Sequence, residues 1–149
     1  MVDTLVDAHR QQPGALLPLL HAVQDAIGFI PPSAVPAIAA GLGLSRAEVH
    51  GVVTYYHHFR QQPPARHLVQ VCRAEACQAR GADALLLEAQ RLLGCAADGR
   101  RADGEIGIES VYCLGLCAMS PAVRIDGRAH ARMDAAKLAR LARAIGVDG

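Results

Sequence analysis

No apolar run in this sequence reaches the roughly 18 residues that a membrane-spanning helix needs, because Pro, Gly or a charged residue interrupts the long ones early. No membrane insertion is expected. The amino terminus, MVDTLVDAHRQQPG, has Asp3 and no apolar core before a small-residue cleavage site, so it does not read as a secretory signal and a cytoplasmic location is the expectation. Charge of one sign is also lacking. Fifteen basic residues face fourteen acidic ones, the formal net charge is +1, and neither sign forms a long block. Such a balance lacks the basic footprint of a nucleic-acid binder. Neither a GxGxxG nor a P-loop pattern occurs, so no nucleotide site is expected on this chain. Five cysteines are an odd number, and a cytoplasmic chain is kept reduced, so a disulfide framework is a poor explanation for them. Metal or redox chemistry fits better. What the chain does have is apolar surface: 52% hydrophobic against 19% charged residues points to a globular fold.

Leu16, Leu19, Leu20, Val23 and Ile27 fall on one helix face, and Gly28 supplies a stop. After Pro31-Pro32, Ser33 is expected to cap a short helix carrying Val35, Ile38 and Ala39, ended by Gly41-Leu42-Gly43. Ser45 and Glu48 form a capping box ahead of an apolar stripe of Val49, Val52, Val53 and Tyr56. Residues 1–62 therefore read as an N-terminal helical bundle. Gln61-Gln62-Pro63-Pro64 cannot continue a helix and marks the domain boundary. Beyond it, His67–Val71 reads as a strand leading into Cys72, and Leu85, Leu86, Ala89, Leu92 and Leu93 as a helix starting near Ala82. A second strand around Ile106 and Ile108 runs into Cys113. Ala122–Ile125 and Ala129–Met133 flank the hairpin signal Asp126-Gly127, and Asp134 caps a last helix with Leu138, Leu141 and Ile145. A strand–helix–strand unit favours a parallel crossover. The order βαββα over residues 65–149 predicts an α/β domain of thioredoxin type, giving a mixed α+β/α/β chain.

Cys72 and Cys77 are separated by four residues, Cys113 and Cys117 by three, and each pair begins where a predicted strand ends. If those strands are parallel neighbours, both loops emerge at one sheet edge and four thiolates can converge. Four thiolates are what a [2Fe–2S] cluster requires. Gly81 and Gly115 would allow the close backbone approach that offsets its negative charge. Structural zinc remains an alternative, although its usual Cys-x2-Cys pairs are absent, and so do buried inert thiols. Cys95 stands apart and reads as structural or incidental.

The spacing Cys72-x4-Cys77 and Cys113-x3-Cys117, preceded by LSRAEVHGVVTYYHHF, resembles the thioredoxin-like [2Fe–2S] subunits of complex I and its soluble relatives. Within that family LLPLLHAVQDAIGFIP, EVHGVVTYYHHFR and CRAEACQARGA are most similar to the gamma subunits of NAD-dependent formate dehydrogenases. The resemblance implies one [2Fe–2S] cluster on Cys72, Cys77, Cys113 and Cys117, and electron transfer rather than catalysis by this chain. The implied partners are a flavin-bearing, NAD-binding subunit and a molybdenum or tungsten subunit that oxidises formate. Complex I and NAD-linked hydrogenase are the alternative parents. A cis bond before Pro121 is also implied by the resemblance alone.

Arg73 and Arg80, in and after the first cysteine loop, could favour a reduced cluster, or be solvated surface charges. His50 and His57 share a helix face with no carboxylate or Cys beside them, and with His58 they read as polar-face or interface histidines rather than a second metal site. Residues 41–49 also look like a turn and recognition helix, so an iron–sulfur helix-turn-helix regulator is a remote alternative. Arg46 beside Glu48 and His50 supplies too few cations for the phosphate contacts that it would need.

Overall fold

The computed structural model describes residues 1–147; Asp148 and Gly149, the end of the expected second domain, lie outside the described residues. The chain divides into two compact units, Met1–Pro64 and the remainder from Ala65.

The first unit is all helical: α1 Val2–His9, α2 Leu16–Ile27, a 3-10 turn Pro32–Ala34, α3 Val35–Leu42 and α4 Arg46–Tyr55. Its core is built from the one-sided apolar positions of these helices, with Val6, Leu19, Leu20, Val23, Ile38, Val49 and Val53 all buried. Gly28 stops α2 in the left-handed conformation at φ 91°, its N–H bonded to the Gln24 carbonyl, and the end cap lacks a Cβ penalty there. Gln24 is itself buried. Its amide donates to the His58 carbonyl at 2.8 Å and accepts from the Arg60 N–H at 2.7 Å, which pins the chain's exit from α4 against α2. The capping box on α4 forms as expected. Ser45 Oγ accepts from the Glu48 N–H at 3.2 Å, and Glu48 accepts from the Ser45 N–H at 2.8 Å, a bond that holds its carboxyl below the usual carboxylate range.

Two details differ from expectation. Ser33 caps nothing: it lies inside the 3-10 turn, and Ala34 takes the N-cap position of α3 without any side-chain bond. Prolines near the start of both elements fix φ there and set the first helical turn instead. Helix α1 has no sequence signature because it buries a single residue, Val6, and has no capping side chain. Val6 seats against Gly41 on α3, where an added Cβ would overlap its Cγ1. Gly to Ala inside a helix ordinarily stabilises by about 1 kcal/mol. Here the overlap is with a short β-branched side chain that cannot swing aside, so Gly41→Ala should destabilise the unit by about 1–3 kcal/mol. Thermal melts of the variant check the sign; a gain in stability would show that α1 does not sit on α3 in this way.

The second unit is a five-stranded sheet with helices: β1 His67–Cys72, α5 Glu75–Ala79, α6 Ala82–Leu93, β2 Gly99–Arg100, β3 Ile106–Val111, β4 Val123–Ile125, β5 Arg128–His130 and α7 Ala135–Ala144. This is the thioredoxin-like α/β arrangement, in the order β2-β3-β1-β4-β5. Strands β1 and β3 are parallel, as the strand–helix–strand order requires, and β4 and β5 add antiparallel. Alternation along the strands sends Val69, Val71, Ile106, Ile108, Val123 and Ile125 into the core, where they bury against Leu85, Leu86 and Leu93 of α6 and Leu138 of α7. Asp126 and Gly127 both adopt positive φ, 47° and 82°, which is the turn that matches strand twist in a tight hairpin. Asp126 is held by the Leu68 N–H at 2.8 Å and His67 Nδ1 at 2.7 Å. Asp134 caps α7 by accepting from the Lys137 N–H at 2.7 Å.

The hairpin's second strand stops at His130, short of the expected Met133. Arg132 turns to φ 48°, and Arg132 and Met133 give their N–H groups to Met119 and Pro121 rather than to a strand. The short α5 and β2 were not expected either; each is a few residues long and carries too little periodicity to read. His130 has its pKa lowered by burial, with Lys137 and Arg128 adding repulsion. The unfolded chain therefore binds a proton more readily than the fold does. The stability due to neutral His130 is complete above about pH 6.5 and is lost as pH falls toward its folded value. His130→Gln should flatten the decline in melting temperature below that pH; an unchanged pH profile would contradict it. Among the described residues no helix is long and apolar enough to cross a membrane.

Candidate metal centre

Parallel pairing places the ends of β1 and β3 at one sheet edge, with Cys72 in register with Val111. Cys72 closes β1, Cys77 lies in α5, Cys113 follows β3 by two residues, and Cys117 opens a 3-10 turn, Cys117–Met119. Cys72 and Cys77 are 1% and 2% exposed, whereas Cys113 and Cys117 reach the surface. The Cys113 and Cys117 sulfurs stand 3.6 Å apart. Cys72 and Cys77 bond to each other, and Cys117 feels the charge of Cys72 as well as that of Cys113. All four expected ligands therefore meet in one site.

Backbone donors converge on these sulfurs. Burial works against ionising Cys72, yet the Ala74 N–H, the Cys77 thiol and the Cys113 and Leu114 N–H groups outweigh it and bring that thiol below its ordinary pKa. Burial pushes the Cys77 thiol up, helped by its bond to Cys72 and by charge on Cys72 and Cys117, against a lowering bond from the Ala122 N–H. Cys117 is pushed up by its bond to Cys113 first and by the charge on Cys113 next. The protein thus favours ionisation at Cys72 and opposes it at Cys77 and Cys117. Four thiolates in such a space would need a cationic core, which the two ferric ions of a [2Fe–2S] cluster would supply.

The backbone is bent to this purpose. Cys113 holds φ 92°, a region that costs a non-glycine residue about 1–3 kcal/mol. That conformation turns its N–H toward Cys72 and lets Gly115, at φ 77°, donate to Cys113 Sγ at 3.4 Å. The donor set is all sulfur. Two thiol pairs, neither with the Cys-x2-Cys spacing usual for structural zinc, suit a two-iron centre with one pair per iron.

Other candidates fall elsewhere. Cys95 is buried in the helix–sheet core, its Sγ bonded to the Ala96 carbonyl at 3.5 Å. Arg73 pairs with Asp83 at 3.2 Å, and Arg80 lines an open cleft of about 710 Å³ beside Cys117. The Ser120–Pro121 bond in that cleft is cis. His50, His57 and His58 are exposed; the His58 ring lies 5.0 Å from that of His21. Sequence reading missed the backbone donors at Ala74, Leu114 and Ala122, because an N–H group leaves no residue signature.

Residues 2–146 match the thioredoxin-like [2Fe–2S] ferredoxin family. The chain belongs to that family. A single [2Fe–2S] cluster is accordingly its cofactor, and the all-cysteine site fits it. The ferredoxin is 36% identical over 123 residues to the E subunit of NADH-quinone oxidoreductase from Pseudomonas aeruginosa, covering 82% of this chain and 74% of that one. It is 27% identical to the HndA subunit of the NADP-reducing hydrogenase of Solidesulfovibrio fructosivorans, covering 87% and 75%. Among solved structures, a chain of an NAD+-reducing [NiFe]-hydrogenase in the H2-reduced state aligns with a TM-score of 0.74 at 28% identity, over 87% of this chain. This ferredoxin spans only 22% of that hydrogenase chain.

Proposed function

We propose that this ferredoxin is the electron-transfer subunit of a multi-subunit NAD-linked oxidoreductase, with Cys72, Cys77, Cys113 and Cys117 holding its cluster beside a flavin-bearing, NAD-binding partner in the cytoplasm. The observation that carries this reading is the meeting of two thiol pairs at the ends of two parallel strands. One-electron exchange is the chemistry such a cluster supplies when bound, which complements the stepwise oxidation of a reduced flavin. Buried Cys72 and Cys77 anchor the site from within. Exposed Cys113 and Cys117 give it the edge through which electrons pass to or from a partner.

For the parent complex we propose NAD-dependent formate dehydrogenase, on the three sequence stretches LLPLLHAVQDAIGFIP, EVHGVVTYYHHFR and CRAEACQARGA. A molybdenum or tungsten subunit would then oxidise formate. The similarity to the E subunit of NADH-quinone oxidoreductase and to the hydrogenase chains favours a second reading, in which the parent is complex I or an NAD-linked hydrogenase. Purification of the tagged chain from its source under native conditions, followed by mass spectrometry, separates them. Formate dehydrogenase requires a flavoprotein and a molybdenum or tungsten subunit; a nickel–iron chain or membrane quinone-reducing subunits select the second reading. Recovery without any flavoprotein would contradict both. The purified chain alone should show no formate- or NADH-dependent turnover, and activity without partners would reveal a missed site.

A further inference from the structure

The sheet carries a polar rung directly beside the cysteine edge. Gln70, on the central strand β1, is 6% exposed. Its Nε2 donates to Glu109 Oε2 at 2.8 Å, and its Oε1 accepts from Arg124 Nε at 2.6 Å. Glu109 and Arg124 are the Cα partners of Gln70 on β3 and β4, so carboxylate, amide and guanidinium form one line across three strands.

The neighbouring rung is the ligand rung. Cys72 lies two residues along β1, roughly 7 Å away at about 3.3 Å per residue, with its side chain on the same face as Gln70. It is in register with Val111, two residues beyond Glu109. Its N–H donates at 3.1 Å to the carbonyl of Ala122, two residues before Arg124, and the Ala122 N–H bonds Cys77. Both flanking charges are therefore tied by one short strand segment to backbone that touches the ligands. Arg73 pairs outside the sheet with Asp83.

We infer that Glu109, Gln70 and Arg124 form a charge rung that sets the reduction potential of the cluster, resting on the four-cysteine ligand reading. Reduction adds one negative charge. Arg124 favours that state and Glu109 opposes it, while Gln70 is a positioning residue whose amide fixes the two charges at equal rungs. Bulk salt screens a line centred on a buried amide only weakly.

Redox titration of the intact chain, followed by the EPR signal of the reduced cluster, tests this. Arg124→Gln should lower the potential and Glu109→Gln should raise it, each by about tenfold in the ratio of reduced to oxidised cluster at fixed ambient potential, or about 59 mV for one electron. Arg124→Lys keeps the charge and should restore most of the wild-type value. Glu109→Gln still offers Gln70 an acceptor, so its upward shift decides the matter even where Arg124→Gln loses the cluster. A merely structural rung would move both variants in the same direction or leave both unmoved, and either outcome overturns the inference. A wild-type chain with no [2Fe–2S] signal would instead overturn the ligand reading, and the charge rung with it.

Discussion

Single replacement of Cys72, Cys77, Cys113 or Cys117 by Ser should abolish or grossly distort the visible absorption of the cluster, while Cys95→Ser leaves that spectrum nearly unchanged. On the proposed ligand set each of the four would contribute a thiolate to one site, and the hard oxygen of Ser is a poor replacement for sulfur on iron. Cys95 sits in the helix–sheet core. Placing a hydroxyl there costs about 1–3 kcal/mol of stability, which would lower the melting temperature without bleaching the protein. Iron and sulfide analysis of the five variants checks the division. Bleaching by Cys95→Ser alone would show that the ligand set is wrong.

Removal of residues 1–60 should have an equally large and opposite pair of effects: full retention of the cluster and loss of the flavoprotein partner. The second unit has its own core between the sheet and α6 and α7, and all four cysteines lie within it. The first unit has a separate core and presents Leu17, Tyr55 and Tyr56 as exposed apolar side chains. We propose that this surface docks on the flavoprotein, and that residues 1–62 and 65–149 fold as separate domains. A truncated chain that is brown but fails to capture the flavoprotein in a pull-down meets the expectation. Retained capture would contradict the docking role. Loss of the cluster would contradict the separate folding. Binding of genomic DNA by residues 1–60, with steep salt dependence, would revive the regulator alternative.

Much of the fold was legible because its signals are local. The stripe Leu19, Leu20, Val23 and the capping box at Ser45 name their helices without reference to distant residues. Asp126-Gly127 names its hairpin, since few other pairs tolerate two positive φ angles in succession. The cysteine site was legible for a different reason: spacing at two strand ends, joined to the rule that a strand–helix–strand unit is parallel, brings the pairs to one edge. What escaped notice depends on tertiary placement. Helix α1 exists because Val6 finds Gly41, and a one-residue contact has no period. Ser33 looks like a cap by type, but the prolines at the starts of both elements set the beginning of α3 instead. Gln70 reads as an ordinary strand residue until register puts Glu109 and Arg124 on either side of it.

The measurement that bears most directly on the four-cysteine centre is iron, zinc and acid-labile sulfide analysis of protein made under iron-replete conditions, joined to EPR after one-electron reduction. Two irons and two sulfides per chain with a rhombic signal are expected of a [2Fe–2S] cluster on Cys72, Cys77, Cys113 and Cys117. Zinc without sulfide, and no signal on reduction, would contradict it.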